Sequence, residues 1–388
     1  MLSSPPPLNQ DDESLGMSIS RNPSVSSRAS SATGSVIGDW NDIQLSELTD
    51  GNKLISIPAK VSVQQAFETL KSHNLTSVPV SRTNDTDLTN CGTFDYSDLN
   101  TYLLLVMNKI SVGDAPANAE YVAKAKRGEE VPVEFIIHVH PKNPFIRFNE
   151  HDYLPSVMET LGNGVHRVAI TDNSGKVTGI LSQRRLIRFM WENARRFPSL
   201  EGLFDQTLEQ LQIGATNPMT IYDDQLLIEA LTKMHTERVS SLAVIDHSHQ
   251  LIGNISITDV QNVTSSKNSA LLFKSVLNFI SYNLSQKGIE RGQDQFPIFH
   301  VRKSSTLGRV VAKLVATQSH RLWIVESPSK SQDTPTKDPG QGKLIGVVSL
   351  TDILGLFAET KGKKTDPTYA RNQRRRSSTS TTRSSIDM

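Results

Sequence analysis

Cysteine is nearly absent: Cys91 is the single one among 388 residues. That excludes an internal disulfide framework and any zinc site built on clustered cysteines. It fits a reducing compartment, so the expected location is cytoplasm, nucleus or both. An excess of either charge is missing too. Lysine and arginine number 41 against 40 acidic residues, a net charge of +1, so no global field points to nucleic acid or an acidic substrate. The N-terminal stretch MLSSPPPLNQDDESL has no basic start and no apolar centre. No run approaches the roughly 20 apolar residues that a membrane span needs, so the expectation is a protein neither secreted nor membrane-embedded. Catalytic motifs are missing as well: no Gly-x-x-x-x-Gly-Lys loop, Gly-x-Ser-x-Gly elbow or His-Glu-x-x-His helix occurs. His138 and His140 flank Val139 in a strand-like run, but without nearby acids or cysteines they make a poor metal site. His247 and His249 read as solvent-facing turn residues. The expectation is no catalysis, no metal and no required cofactor.

What is present is unevenly distributed. Up to Gly38 the chain is rich in Ser, Pro and Gly, and from Lys361 to Met388 it combines basic runs with hydroxyl residues. Neither composition buries enough apolar surface to offset the entropy of ordering, so both ends, 1–38 and 361–388, are expected to be disordered. RRRSS, Arg374 to Ser378, resembles a target for a basophilic kinase acting at Ser377 or Ser378. Phosphorylation there would change the local charge by about −1.5 to −2 per site. Between the tails, DWNDIQLSEL suits a short helix that carries Trp40, Ile43, Leu45 and Leu48 onto the body. At this length two packed lobes are expected.

The body repeats itself four times. Apolar residues at i, i+3, i+4 and i+7 occur as Val63, Ala66, Phe67, Leu70, then Leu154, Val157, Met158, Leu161. They return as Leu227, Ala230, Leu231, Met234 and as Leu307, Val310, Val311, Leu314. Each set is one face of an amphipathic helix, with Ser62, Asp152, Asp224 or Ser305 nearby as the expected polar cap. A β-rich run follows each helix (TSVPV, HRVAI, VSSLAVID, HRLWIVE), then a turn and a strand ending at a strand-to-helix corner. The corners read CGTFDYSD, GILSQRR, GNISITD and GVVSLTD, so Asp98, Asp259 and Asp352 share a position at which the second copy carries Arg185. A strand–helix–strand–strand–helix unit has one sheet face to cover and is too small to cover it alone, so units should pack in pairs.

This unit resembles the cystathionine-β-synthase (CBS) domain, and a four-copy chain resembles the γ regulatory subunit of AMP-activated protein kinase. The connector TLEQLQIGATNPMTI, Thr207 to Ile221, also resembles that subunit. The resemblance implies an α/β (α+β) fold of four CBS repeats forming two tandem pairs. The repeats would be 39–110, 135–197, 198–265 (with the connector) and 266–360, with an insertion at 111–134. Within it, Ala117 to Arg127 suits an exposed helix. A second insertion, Ser327 to Lys343, reads as a polar hairpin loop.

By the same resemblance, Asp98, Asp259 and Asp352 would bind the ribose of AMP, ADP or ATP, with Ser256, Thr258, Ser349 and Thr351 as hydroxyl companions. His166, Arg167, Arg238, His320 and Arg321 would meet the phosphates. The bland alternative is that an acid in a first helical turn is favoured anyway, by about 0.3–1 kcal/mol through the helix dipole. Arg185 is disfavoured by that dipole, and the resemblance implies a corner that holds no nucleotide. The first corner departs further: Asp95 stands where the others have Ser, and Thr76 where the γ subunit supplies Arg.

Two regulatory readings follow. The tails, the insertion and the altered first corner resemble a fungal family of γ-like proteins linked to DNA replication, cell separation, nutrient and stress responses, and inhibition of type-2A-like phosphatases. That reading, with a phosphatase catalytic subunit as partner, is preferred. The alternative is the energy-sensing γ subunit of a kinase complex.

Overall fold

Each apolar stripe forms the first helix of a three-stranded unit in the computed structural model, which describes residues 39–49, 54–82, 88, 91–113, 116–139, 142, 145–264, 268–291, 299–326 and 342–372. Unit one runs β1 (Ile57–Pro58), α1 (Val63–Ser72), β2 (Ser77–Ser81), β3 (Cys91–Asp95) and α2 (Tyr96–Val106), followed by α3 (Pro116–Lys126) and α4 (Val133–Val139). Unit two runs β4 (Arg147–Asn149), α5 (Leu154–Gly162), β5 (Arg167–Thr171), β6 (Val177–Ser182) and α6 (Gln183–Glu192), and the connector carries α7 (Glu201–Phe204). Unit three has β7 (Thr220–Tyr222), α8 (Leu227–Thr236), β8 (Ser241–Ile245) and β9 (Leu251–Ser256), then a 3-10 helix, Ile257–Asn262, and α9 (Val276–Arg291). Unit four has β10 (His300–Val301), α10 (Leu307–Thr317), β11 (Arg321–Val325), β12 (Leu344–Ser349) and α11 (Leu350–Glu359). In every unit the middle strand pairs parallel to the first and antiparallel to the third.

Third-unit corner residues form a 3-10 rather than an α-helix. Ile257, Thr258, Val260 and Val263 are β-branched and lose side-chain freedom in a helix, whereas LTDILGLFAE of α11 is rich in good helix formers. The first helices differ from expectation in their caps. Ser62 accepts from the Gln65 N–H as predicted, but the cap residues of α5, α8 and α10 are Tyr153, Leu226 and Thr306. Asp152 and Ser305 instead bond back to the N–H groups of Asn149 and Arg302, closing the turn before the helix.

Alternate units share the main cores. Leu70, Phe94 and Leu104 of unit one are buried with Leu231, Ile255 and Phe279 of unit three. Met158, Leu161 and Met190 of unit two are buried with Val311, Ile353 and Phe357 of unit four. Consecutive units meet through smaller sheet contacts: Leu88, Cys91 and Ala169 between one and two, and Ala243, Trp323 and Val325 between three and four. Every unit thus pairs twice, once by helices and once by strands.

Covering segments cross the third strand of each sheet at a glycine. A Cβ on Gly92 would lie 2.8 Å from Ile137 of α4, and one on Gly253 would lie 2.6 Å from Ile280 of α9. Thr49 lies over Gly179 and the Ala215 carbonyl over Gly346, which is why glycine recurs there. The run holding His138 is therefore a helix, not a strand. Short apolar runs are ambiguous by periodicity, and Val133, Phe135, Ile136 and Ile137 are buried against unit one. His140 lies outside the described residues. In α3, Ala125 is buried and Tyr121 packs on Phe135 at 5.0 Å, so the insertion helix is half-covered rather than exposed. Residues 39–49 do bury Trp40, Ile43, Leu45 and Leu48, but on units two and four. No helix of the described residues is long and apolar enough to cross a membrane.

The C-terminal segment departs most from expectation. Residues 361–372 are placed, with a short helix at 367–372. Lys361 pairs with Asp39 and lies 5.0 Å from the Trp40 ring, and the Asp366 N–H donates to Asn163 Oδ1 at 3.0 Å. Average composition hides such anchors. Ser377 and Ser378, like the loop at 327–341, lie outside the described residues.

Candidate functional site

All four corners are built alike. The last residue of the third strand (Asp95, Ser182, Ser256, Ser349) stands at the N-cap position of the following helix, and the residue three positions on lies in its first turn. In the acid corners that carboxylate accepts the N–H of its own cap residue: Asp98 from Asp95, Asp259 from Ser256 and Asp352 from Ser349, each at 2.8 Å. One carboxylate oxygen of each acid is therefore engaged in a capping box, a role that needs no ligand. Arg185 breaks this box. Its N–H is capped by Ser182 Oγ at 3.2 Å, but it offers no oxygen in return.

Two of these acids are also paired with cations of the chain itself. Asp98 is fully buried and paired with Lys142, which also donates to the Thr93 carbonyl at 3.0 Å and lies 3.2 Å from Asp95. Burial, reinforced by the Asp95 charge and opposed by Lys142, pushes Asp98 up to about 7. Burial opposes ionisation of Asp95 as well, but Lys142, Arg167 and the Ser97 hydrogen bonds outweigh it and hold that carboxyl below its usual range. Asp352 is 4 % exposed and accepts from Arg371 Nη1 at 2.7 Å and from Ser349 Oγ at 2.7 Å. Thr351 accepts from Gln183 Nε2 at 2.9 Å, tying the second corner to the fourth. In the third corner Ser256 Oγ and Thr258 Oγ1 are 3.0 Å apart beside Asp259.

Cations from the even units converge on the odd ones. Arg167 begins β5 and its Nη2 donates to Thr76 Oγ1 of unit one at 3.0 Å. Arg321 begins β11 in the equivalent place and its Nη2 donates to Ser240 Oγ of unit three at 2.6 Å. The Ser240 carbonyl in turn accepts from Ile257 N–H at 2.9 Å, beside the Asp259 corner. His320, which precedes β11, is solvent-accessible and has three arginines near it. Desolvation, with Arg184, Arg321 and Arg167 close by, pushes it down to about 4. Desolvation and Arg184 also lower Arg167 despite Asp95. A cluster of such cations favours an anion.

Arg238 and His166 lie differently. Arg238 ends α8 in the left-handed region at φ 51°, as Asn74, Gly164 and Gln318 do after α1, α5 and α10. The fold needs that turn four times, so the strain itself assigns Arg238 no function. His166 is exposed, and its carbonyl accepts from Gln183 N–H at 3.1 Å. The sequence reading missed Arg184, although QRRL replaces both polar corner residues with arginine. Lys142 and Arg371 gave no signal, being single cations in polar segments. Among the described residues no cluster of three potential metal ligands occurs.

Comparison with known proteins agrees with this architecture. The CBS domain model matches residues 136–192 and 212–265. Protein SDS23 of Scheffersomyces stipitis is 60 % identical over 97 % of this chain and 83 % of its own length, and Protein SDS23 of Candida albicans is 56 % identical over 100 % and 78 %. Among solved structures, a Methanocaldococcus jannaschii protein described as a candidate archaeal homologue of g-AMPK superposes with a TM-score of 0.59. It covers 81 % of this chain and 100 % of its own at 12 % identity, a likeness of fold. With four CBS-type units and relatives of this closeness, the chain belongs to the fungal SDS23 family of CBS-domain proteins.

Proposed function

We propose that this protein is a non-catalytic regulator that binds an adenine nucleotide. Phosphates would meet the cluster of Arg167, Arg184, His320 and Arg321, and the ribose the Asp259 corner. The observation that carries this reading is the Arg321–Ser240 hydrogen bond at 2.6 Å, which brings a cation of that cluster beside the corner. Phosphate and diol recognition would thus adjoin one another. Family membership supports the wider reading, in which the protein acts in DNA replication, cell separation and nutrient- or stress-linked control by inhibiting a type-2A-like phosphatase in cytoplasm and nucleus. Only a difference in affinity between two arrangements of the units would pass nucleotide occupancy to such a partner.

Calorimetric titration of the whole chain with AMP, ADP and ATP tests the nucleotide part. Micromolar binding that Asp259→Ala or Arg321→Ala removes is the expected result, and absence of binding in a folded, nucleotide-free sample would refute it. A bound phosphate also stabilises the His320 imidazolium, so its NMR titration should move upward from about 4 when nucleotide is added. Co-purification of a phosphatase catalytic subunit, rather than kinase subunits, tests the partner.

A further inference from the structure

The C-terminal segment delivers a guanidinium to an acid corner that would otherwise receive a ligand. We propose that residues 361–372 form a tethered cap in which Arg371 occupies the Asp352 corner and competes with a vicinal diol for it. The inference rests on reading the acid corners as nucleotide sites.

Three observations support it. First, both oxygens of Asp352 are engaged, Oδ2 by Ser349 and Oδ1 by Arg371, and only 4 % of the residue stays exposed. Second, Arg371 is aimed rather than merely near. Its Nη2 donates to Thr368 Oγ1 at 3.2 Å, and the Tyr369 N–H donates to Asp366 Oδ1 at 2.7 Å, which starts the short helix that carries it. Third, the segment lies on a prepared surface. Pro367 and Thr365 rest on Gly355 of α11, where a Cβ would come within 3.0 and 3.1 Å, and Asn163 at the end of α5 holds the Asp366 N–H.

Two of the anchors are solvent-exposed. Lys363 pairs with Glu159 at 3.4 Å with both side chains more than a third exposed, and Thr365 Oγ1 donates to Glu359 at an exposed position. Exposed polar contacts contribute about 0–1 kcal/mol each, so the half-buried pairs Lys361–Asp39 and Arg371–Asp352 are what chiefly hold the segment, and a ligand at Asp352 would have to replace the second of them.

The test combines AMP titration of the full chain with hydrogen exchange over residues 361–372, on the parent protein, Arg371→Gln and Arg371→Lys. If the cap is closed nine-tenths of the time, Arg371→Gln should tighten AMP binding at this corner about tenfold, or reveal one further site. It should also speed exchange of the segment. Adding Asp352→Asn to Arg371→Gln should remove the gain, and Arg371→Lys, which keeps the charge, should stay nearer the parent. AMP itself should speed exchange of the segment in the parent. Unchanged exchange in Arg371→Gln overturns the cap. Faster exchange with AMP binding equal to the parent's overturns the competition while leaving the nucleotide reading in place. AMP binding to neither protein overturns both.

Discussion

The first and fourth corners share a backbone and a capping box, yet they hold their acids under different terms. Asp98 is sealed, has no hydrogen-bond partner for its Oδ1 among the described residues, and shares Lys142 with a second carboxylate, Asp95. Asp352 has a serine in place of that second carboxylate, and its cation arrives on a short surface segment. The cap residue makes the difference. An aspartate at the cap places two negative charges side by side, which a buried cation must compensate. A serine leaves one charge, which the single guanidinium of Arg371 meets.

Removing the lysine should break the comparison most severely. Lys142→Met leaves two carboxylates with Arg167 as their remaining cation. Urea unfolding should show a loss of about 3 kcal/mol, the low end for a broken buried pair because Asp98 can take up a proton. Next is the surface beneath the cap. A Cβ on Gly162 would lie 2.7 Å from the Gly355 backbone, so Gly162→Ala should push α5 and α11 apart and cost about 1–3 kcal/mol by the same measurement, with faster exchange over 361–372.

Asp95→Ser turns the first cap into the fourth. Asp98 has a folded pKa near 7, above its unfolded value of about 3.9, so the native state holds a proton that the unfolded state has lost. Its contribution therefore makes stability fall as pH rises from about 4 to 7. Removing the Asp95 charge should lower the Asp98 pKa and flatten that slope in unfolding curves taken at pH 5, 6 and 7. Asp95 itself, with its depressed pKa, contributes stability above pH 4 that is lost only in stronger acid, so the two slopes separate. Smallest of all, Lys363→Ala should change global stability by less than about 0.5 kcal/mol, since its pair with Glu159 is solvent-screened.

The repeat was legible because burying one face of a helix forces apolar residues into a 3.6-residue period, and burying a strand face forces alternation or clustering. Both survive in Val63–Leu70 and in HRLWIV without reference to the rest of the chain. The corner acids were legible for the same local reason, being tied to a cap three residues away. What was not legible depends on distance. Lys142 answers an acid 44 positions earlier and Arg371 one 19 positions earlier, and neither pairing leaves a periodic trace. Arg184 lay within the quoted motif, but its approach to His320 follows from the shared core of units two and four. The α4 run fits a strand as well as a helix because its five apolar residues, Val133, Phe135, Ile136, Ile137 and Val139, suit either period, and the tertiary contact with Gly92 decides between them.

The alternation of units through two cores bears on how the chain is made. Unit one cannot close its helix face until unit three has left the ribosome, and unit two must wait for unit four. A nascent chain stopped at the connector would carry two bare apolar helix layers, joined only by the small strand contact between its own sheets. Non-local closure of this kind slows folding and lengthens the exposure of apolar surface. The half-made chain, with both helix faces open, is thus the species most prone to aggregate.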